Sequence, residues 1–291
     1  MRGKRLFYLA CLAFAAALRL LPAFAEWTLK YIQLPLTRAI ACLTSRVPIP
    51  FWLILALLCA LLLIGKRTGV LAILLAAYLL LRFPAVCAPK AEIQTALVEA
   101  IDALCENLID ALNASPLAFP DQESALQLAS DAVSDYTGES IGNHAVKLAP
   151  AKIMNRLRLA GIYVPFTAEA LVNPDLPVEA LPFTAIHELT HRLGIADEAQ
   201  ANLLAFKISV SSEGALADSA RLWTLRYAMA RMRECDASLW KNRIRQMQPE
   251  TRAAFDRMGG SAVLNDDRYS RVIDLLFSPE CDTIQPREGA K

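Results

Sequence analysis

Residues 181–191 read Leu-Pro-Phe-Thr-Ala-Ile-His-Glu-Leu-Thr-His, and residues 194–202 read Gly-Ile-Ala-Asp-Glu-Ala-Gln-Ala-Asn. The first stretch contains H-E-x-x-H at His187, Glu188 and His191, with Pro182 suited to the first turn of a helix. Positions four apart share a helix face, so His187 and His191 can present two imidazoles to one metal ion, with Glu188 beside it as general base. A catalytic zinc ion takes three protein ligands and keeps one position open for water, whose pKa falls to about 7. The second stretch supplies the rest. Gly194 suits a helix C-terminus, and Asp197 and Glu198 suit the start of another helix, where acidic groups meet the positive end of the dipole. Asp197 is a good N-cap, which leaves Glu198, with its extra methylene, as the expected third ligand. Asn202 lies four residues further on the same face, where its amide oxygen can accept a ligand histidine's free ring N–H.

A pattern with three fixed positions also arises by chance. Here the chain has only three histidines, and two of them occupy the motif. The third, His144, reads as a loop or surface residue, with a site role as its alternative. Upstream, Gly161 to Val172 is rich in strand formers (Ile162, Tyr163, Val164, Phe166, Thr167) interrupted by Pro165, which predicts a small β element. Its edge is a place where a peptide could align as an added strand. Ala91 to Leu112 carries Ile93, Leu97, Ile101, Leu104, Leu108 and Leu112 at helical spacing. Ser124 to Val133 and Ala151 to Leu159 read as helices too, the latter opened by Pro150 and ended by Gly161. Helical patterns resume at Pro182 and run to about Phe277, before a polar tail.

The N-terminal third differs in character. The chain is 55% hydrophobic, above the ~45–50% of soluble domains, and the excess is concentrated before residue 90. Residues 1–25 combine a basic start, an apolar run from Leu6 to Leu18 and the pattern Ala23-Phe24-Ala25, so a signal peptide and a retained first span are both open. Residues 26–49 are then an extracytoplasmic loop. Two apolar stretches, Val47 to Ile64 and Gly69 to Cys87, flank the turn Gly65-Lys66-Arg67-Thr68 and predict a transmembrane hairpin over 50–87, with a buried core hairpin as the alternative. Basic residues in the turn favour its cytoplasmic placement, which puts residues 88–291 outside. That places the protein in the cell membrane as a multi-pass chain in contact with the lipid bilayer. With 30 basic and 29 acidic residues the net charge is +1, which argues against a nucleic-acid partner. No two of the seven cysteines stand in a C-x-x-C spacing, so cysteine-held metal is not expected. A disulfide among Cys105, Cys235 and Cys281 is left open.

Three segments together, GIYVPFTAEALVN at 161–173, PFTAIHELTH at 182–191 and GIADEAQANLLAF at 194–206, resemble a bacterial membrane-protein family catalogued as domain of unknown function 3810. Residues 265–276, NDDRYSRVIDLL, are similar to that family's C-terminal block. The motif also resembles the gluzincin metallopeptidases, in which a Glu followed four residues later by Asp or Asn completes the site. The resemblance implies a zincin-like core and hydrolysis of a peptide or protein substrate. The expected fold class is therefore mostly α: N-terminal transmembrane helices, then a zincin-like, predominantly helical domain over 88–291 with a small β element. The expected cofactor is Zn2+, held by His187, His191 and Glu198, with Glu188 as base. Tyr269, or alternatively Tyr163 or His144, is the expected donor to the developing oxyanion. Two rivals stand beside this reading. An intramembrane protease conflicts with the charge around the motif, since Glu188, Arg192, Asp197 and Glu198 crowd it. A catalytically silent zinc-binding membrane sensor or scaffold does not.

Overall fold

The computed structural model describes residues 20–65, 68–87, 98–114 and 116–260, together with residues 10, 13, 14, 17 and 18. Helices are numbered from the first long enough to place. Pro22 opens α1 (Pro22–Thr28), which passes through a π turn, Leu29–Gln33, into α2 (Leu34–Thr44). The Leu34 N–H reaches back five residues to the Leu29 carbonyl. Pro35, next in line, has no N–H to continue an ordinary ladder, so the wider turn falls there.

The expected apolar hairpin forms as α3 (Phe51–Ile64) and α4 (Thr68–Cys87). Among the described residues, however, no helix is long and apolar enough to cross a membrane. The 14 residues of α3 extend roughly 21 Å at 1.5 Å per residue, short of a ~30 Å hydrocarbon layer. The 20 residues of α4 include Pro84, which interrupts the helix near its end. All 14 residues of α3 are apolar and none is buried. Leu57, Leu61, Leu63 and Ile64 are exposed by more than half of their surface.

The remaining chain folds as α5 (Val98–Asn113), α6 (Gln122–Thr137), β1 (Val146–Leu148), α7 (Ala151–Leu157), β2 (Gly161–Val164), β3 (Glu169–Val172), α8 (Leu181–Arg192), α9 (Glu198–Ser211), α10 (Gly214–Cys235), α11 (Ala237–Gln246) and α12 (Pro249–Gly260). The fold is mostly helical with a small sheet, ordered β1-β3-β2, β1 parallel and β2 antiparallel to β3. Three residues of β1 are too few to show an alternating pattern, so the sequence gives no sign of that strand. Gly161 corrects the expectation that it ends a helix: α7 stops at Leu157 with Arg158 in the left-handed region at φ 53, and Gly161 begins β2. Cys105 and Cys235 are both free thiols, so no bridge joins them, and Cys281 lies outside the described residues.

Two features position the site. Every residue of α8 except Arg192 is buried, because the helix packs against β2 and β3 as well as α6, α9 and α10. Its N-terminal groups are satisfied from α10. Ser219 Oγ accepts from the Phe183 N–H at 3.0 Å and donates to the Glu179 carbonyl at 2.6 Å, while Trp223 Nε1 donates to the Ala180 carbonyl at 3.2 Å. The second feature is a buried ion pair between Lys147 of β1 and Glu169 of β3, at 2.7 Å. Glu169 also accepts the backbone N–H groups of Phe51 and Trp52 at 3.0 and 2.9 Å, so a sheet carboxylate caps the first turn of α3. Lys147 donates further to the carbonyls of Thr44 and Ile49, which ties the end of α2 to the same point.

Candidate metal centre

The H-E-x-x-H residues sit in the last two turns of α8, and α9 returns beside them because the chain reverses at Gly194, where φ is +91. Only glycine adopts that conformation without strain, so the reversal is written into the sequence. Asp197 then caps α9, its carboxylate accepting the N–H groups of Ala199 and Gln200 at 3.1 and 3.2 Å. That use holds Asp197 at the turn and leaves Glu198 to face α8. Glu198 Oε2 lies 3.2 Å from His187 Nε2 and 3.6 Å from His191 Nε2. The two imidazoles stand nearly perpendicular, with centroids 4.8 Å apart.

These three side chains form a group whose donor atoms all fall within 4.8 Å of one another. Two atoms each ~2.0–2.1 Å from a tetrahedral centre are separated by roughly 3.3–3.4 Å, so the Glu198 contacts match the spacing of zinc ligands. One of the two histidines has a defined orienting partner. His191 Nδ1 lies 2.7 Å from the Ile195 carbonyl, which can only accept, so the proton sits on Nδ1 and Nε2 faces the cluster. Asn202 lies beside His187 and favours its charged form. Both histidines are buried, while the Glu198 side chain is partly exposed and opens the cluster to solvent.

The electrostatics follow from this crowding. Burial raises the pKa of Glu198, but hydrogen bonds from His187 and His191 outweigh it and hold the carboxyl well below the usual range. Burial works against the charged form of His187, but Glu198, Glu188 and Asn202 together raise its pKa. A cation is therefore favoured at this point, as a proton on His187 or as a metal ion in its place.

Glu188 is buried beside the cluster, and β2 lies directly over it. A Cβ built on Gly161 would stand 2.5 Å from Glu188 Oε1 and 2.6 Å from its Cγ. Only a residue without a side chain lets the strand run there. Tyr163 is two residues on, hence on the same face of β2, and its phenol stands close enough to act on the Arg192 guanidinium. The structure does not bring His144 into the group; it stands in the turn after Gly142, its N–H donating to the Ser45 carbonyl at 3.0 Å. Tyr269 lies outside the described residues. The Ile195 carbonyl and Gly161 were not legible as site residues from the motif. A backbone carbonyl leaves no mark in sequence, whereas a glycine opening a strand is a known sign of close backbone approach.

Fold and site together define a mostly helical protein in which two helices and a glycine-bearing strand assemble a three-donor cluster with a second carboxylate, that of Glu188, alongside. The chain belongs to the family described as protein of unknown function (DUF3810), whose model matches residues 36–259. No curated protein and no solved structure matches the chain.

Proposed function

We propose that this protein is a zinc-dependent peptidase, with His187, His191 and Glu198 holding the metal and Glu188 acting as general base. The observation that carries the reading is the convergence of three donor atoms within 4.8 Å of one another, with Glu198 3.2 and 3.6 Å from the two histidines, on a half-open cluster with a carboxylate one residue from a ligand. Zinc bound there supplies Lewis-acid activation of water and of a substrate carbonyl. Glu188 takes the proton of the attacking water and passes it to the leaving amine, a role its burial beside His187 suits. His191 keeps its orientation through the Ile195 carbonyl, and Asn202 stands beside His187, where it favours the charged ring. β2 is an edge strand over Glu188, so an extended peptide adding to that edge would run past the cluster.

We further infer that the α3–α4 hairpin rests in a lipid bilayer, because α3 is wholly apolar and none of it is buried. The site-bearing part lies on the extracytoplasmic side in this reading. The test uses the purified full chain in detergent, with zinc content measured alongside hydrolysis of a mixed peptide library and Glu188→Gln as control. Hydrolysis by the parent protein that Glu188→Gln lacks, at equal zinc content, is the expected result. Stoichiometric zinc without hydrolysis overturns the peptidase and leaves the silent zinc-binding module; no zinc overturns both.

A further inference from the structure

Beside the last turn of α8 lies a cavity of about 270 Å³, distinct from the metal-ligand cluster. That is below the ~300–1,000 Å³ of pockets for drug-sized ligands, so it suits a small group. Its lining carries three guanidinium groups, of Arg38, Arg46 and Arg192, against one carboxylate, Glu139. Among the described lining residues the cations outnumber the anion by two. Glu139 is already engaged, accepting from Arg38 Nη2 at 3.0 Å.

Arg192 is the informative residue. Its guanidinium donates to Ser45 Oγ at 2.9 Å and to the Ile141 carbonyl at 3.2 Å, both neutral partners. Arg192 is half-buried, and the carboxylate that acts on it, Glu139, is already paired with Arg38, so its guanidinium has donor capacity left for an anion. The same two bonds fix the plane of the guanidinium, and a fixed fork is what bidentate recognition of a tetrahedral oxyanion needs. The cavity walls are tied together as well. Gly142, at φ +84, packs so closely that a Cβ there would stand 2.8 Å from Ser45 Cβ, and the His144 N–H donates to the Ser45 carbonyl. This is a built cavity with a standing positive charge.

We propose that it binds a phosphate group. That excess of two cations suits a phosphate monoester better than a single carboxylate, and Arg46 and Arg192 supply the donors. One chemistry admits two sources, a phospholipid headgroup or a free phosphate. The wall formed by α2 also bears exposed Leu36 and Leu43, and the preceding α1 and π turn carry Trp27 stacked on Phe24 and tilted against Tyr31, which favours the lipid source. The proposal does not depend on the zinc reading.

The test is calorimetric binding of inorganic phosphate to the full chain in detergent, at fixed ionic strength, with and without a zinc chelator. Phosphate should bind and raise Tm, unaffected by chelation. Arg46→Gln, whose parent side chain is exposed, should weaken binding about tenfold or more while leaving Tm in phosphate-free buffer unchanged, and Arg192→Gln should weaken it at least as much. Dioctanoyl phosphatidic acid that competes with phosphate and binds more tightly, where dioctanoyl phosphatidylcholine does not, assigns the lipid source. Phosphate binding without that preference assigns the free ion. The proposal fails if the parent chain binds no phosphate, if both variants bind as well as the parent, if acetate binds equally, or if chelation removes binding and so places the phosphate on the metal.

Discussion

Replacing Gly161 by alanine separates the position of the general base from everything else at the site. The added Cβ would lie 2.5 Å from Glu188 Oε1, 2.6 Å from Cγ and 2.8 Å from Cδ, whereas ordinary contact begins near 3.4 Å. The difference, 3.4 minus 2.5, requires the two to separate by about 0.9 Å. Because Cγ, near the root of this buried side chain, is among the three, the strand must give along with the carboxylate. Alanine suits the extended backbone of β2 at least as well as glycine, and the pairing of residue 161 with Val172 is a backbone matter. The overpacking beneath it should lower stability by roughly 1–3 kcal/mol. A misplacement of about 1 Å costs on the order of 10²-fold in rate. The expected outcome is a kcat about a hundredfold lower at unchanged zinc content, since the ligands lie on α8 and α9 and not on β2. Peptide hydrolysis, metal analysis and thermal melting of the one variant decide it. Parent-like kcat at full zinc content would refute the placement of Glu188 as base beneath this strand, and loss of zinc would refute the separation of base from ligands.

The roles within the motif divide similarly: Glu188→Ala should abolish hydrolysis and keep about one zinc per chain, whereas His187→Ala or His191→Ala should lose the metal. Emptying of the site by Glu188→Ala in a folded protein would reverse the assignment. Asp197→Ala removes a cap and should cost roughly 1 kcal/mol while zinc stays bound, but Glu198→Ala should release zinc and Asn202→Ala weaken it by about 10–100-fold; metal titration of the three variants is the check. In the metal-free protein, the raised pKa of His187 gives stability that is complete below about pH 6.5 and lost as pH rises through the folded value. The depressed pKa of Glu198 gives stability present above about pH 4.5 and lost on acidification, so metal-free Tm should peak between these values and zinc affinity should climb with pH above them. A metal-free Tm that rises steadily from pH 6 to 8 contradicts the pairing. For orientation in the bilayer, a reporter active only outside the cytoplasm should work after Lys291 and a cytoplasm-only reporter at Thr68; the reverse pattern places the site inside.

The helices of this protein were legible where one face met the core. Ala91 to Leu112 shows six apolar positions at helical spacing, and the structure has α5 from Val98 to Asn113, burying Ile101, Leu108 and Leu112. The α8–α9 corner was legible for a different reason: Gly194, Asp197 and Glu198 each have one local job, reversal, cap and projecting carboxylate, and these do not depend on distant chain. Long-range pairing was not legible. β1 has three residues and finds its place only because β3 already lies there, and Lys147 shows its meaning only beside Glu169, twenty-two residues away. Arg192 reads as a surface charge after a motif, yet its partners Ser45 and Ile141 come from two other segments. In the apolar hairpin, sequence gave the helices but not their reach, since composition does not say where Pro50 starts α3 or how Pro84 interrupts α4.

The sheet links that hairpin to the corner of α8 and α9 through very few residues. Glu169, at one end of β3, holds the first turn of α3 through the Phe51 and Trp52 N–H groups. Val172, at the other end of the same four-residue strand, pairs with Gly161, the residue that lies over Glu188. A buried carboxylate deprived of its lysine is strongly destabilising, of order 3–5 kcal/mol, so the Lys147–Glu169 pair fixes this end of the strand firmly. A strand of four residues spans roughly 10 Å from first Cα to last at ~3.3 Å per step, and that short ladder sets the distance between the start of the apolar helix and the edge over the base. If α3 lies in a bilayer, the edge of β2 is held at a nearly constant height above it. Under the proposed peptidase activity, peptide segments that leave the membrane surface in extended form are then the substrates expected at Glu188, whereas a segment still helical within the hydrocarbon has no free backbone with which to pair.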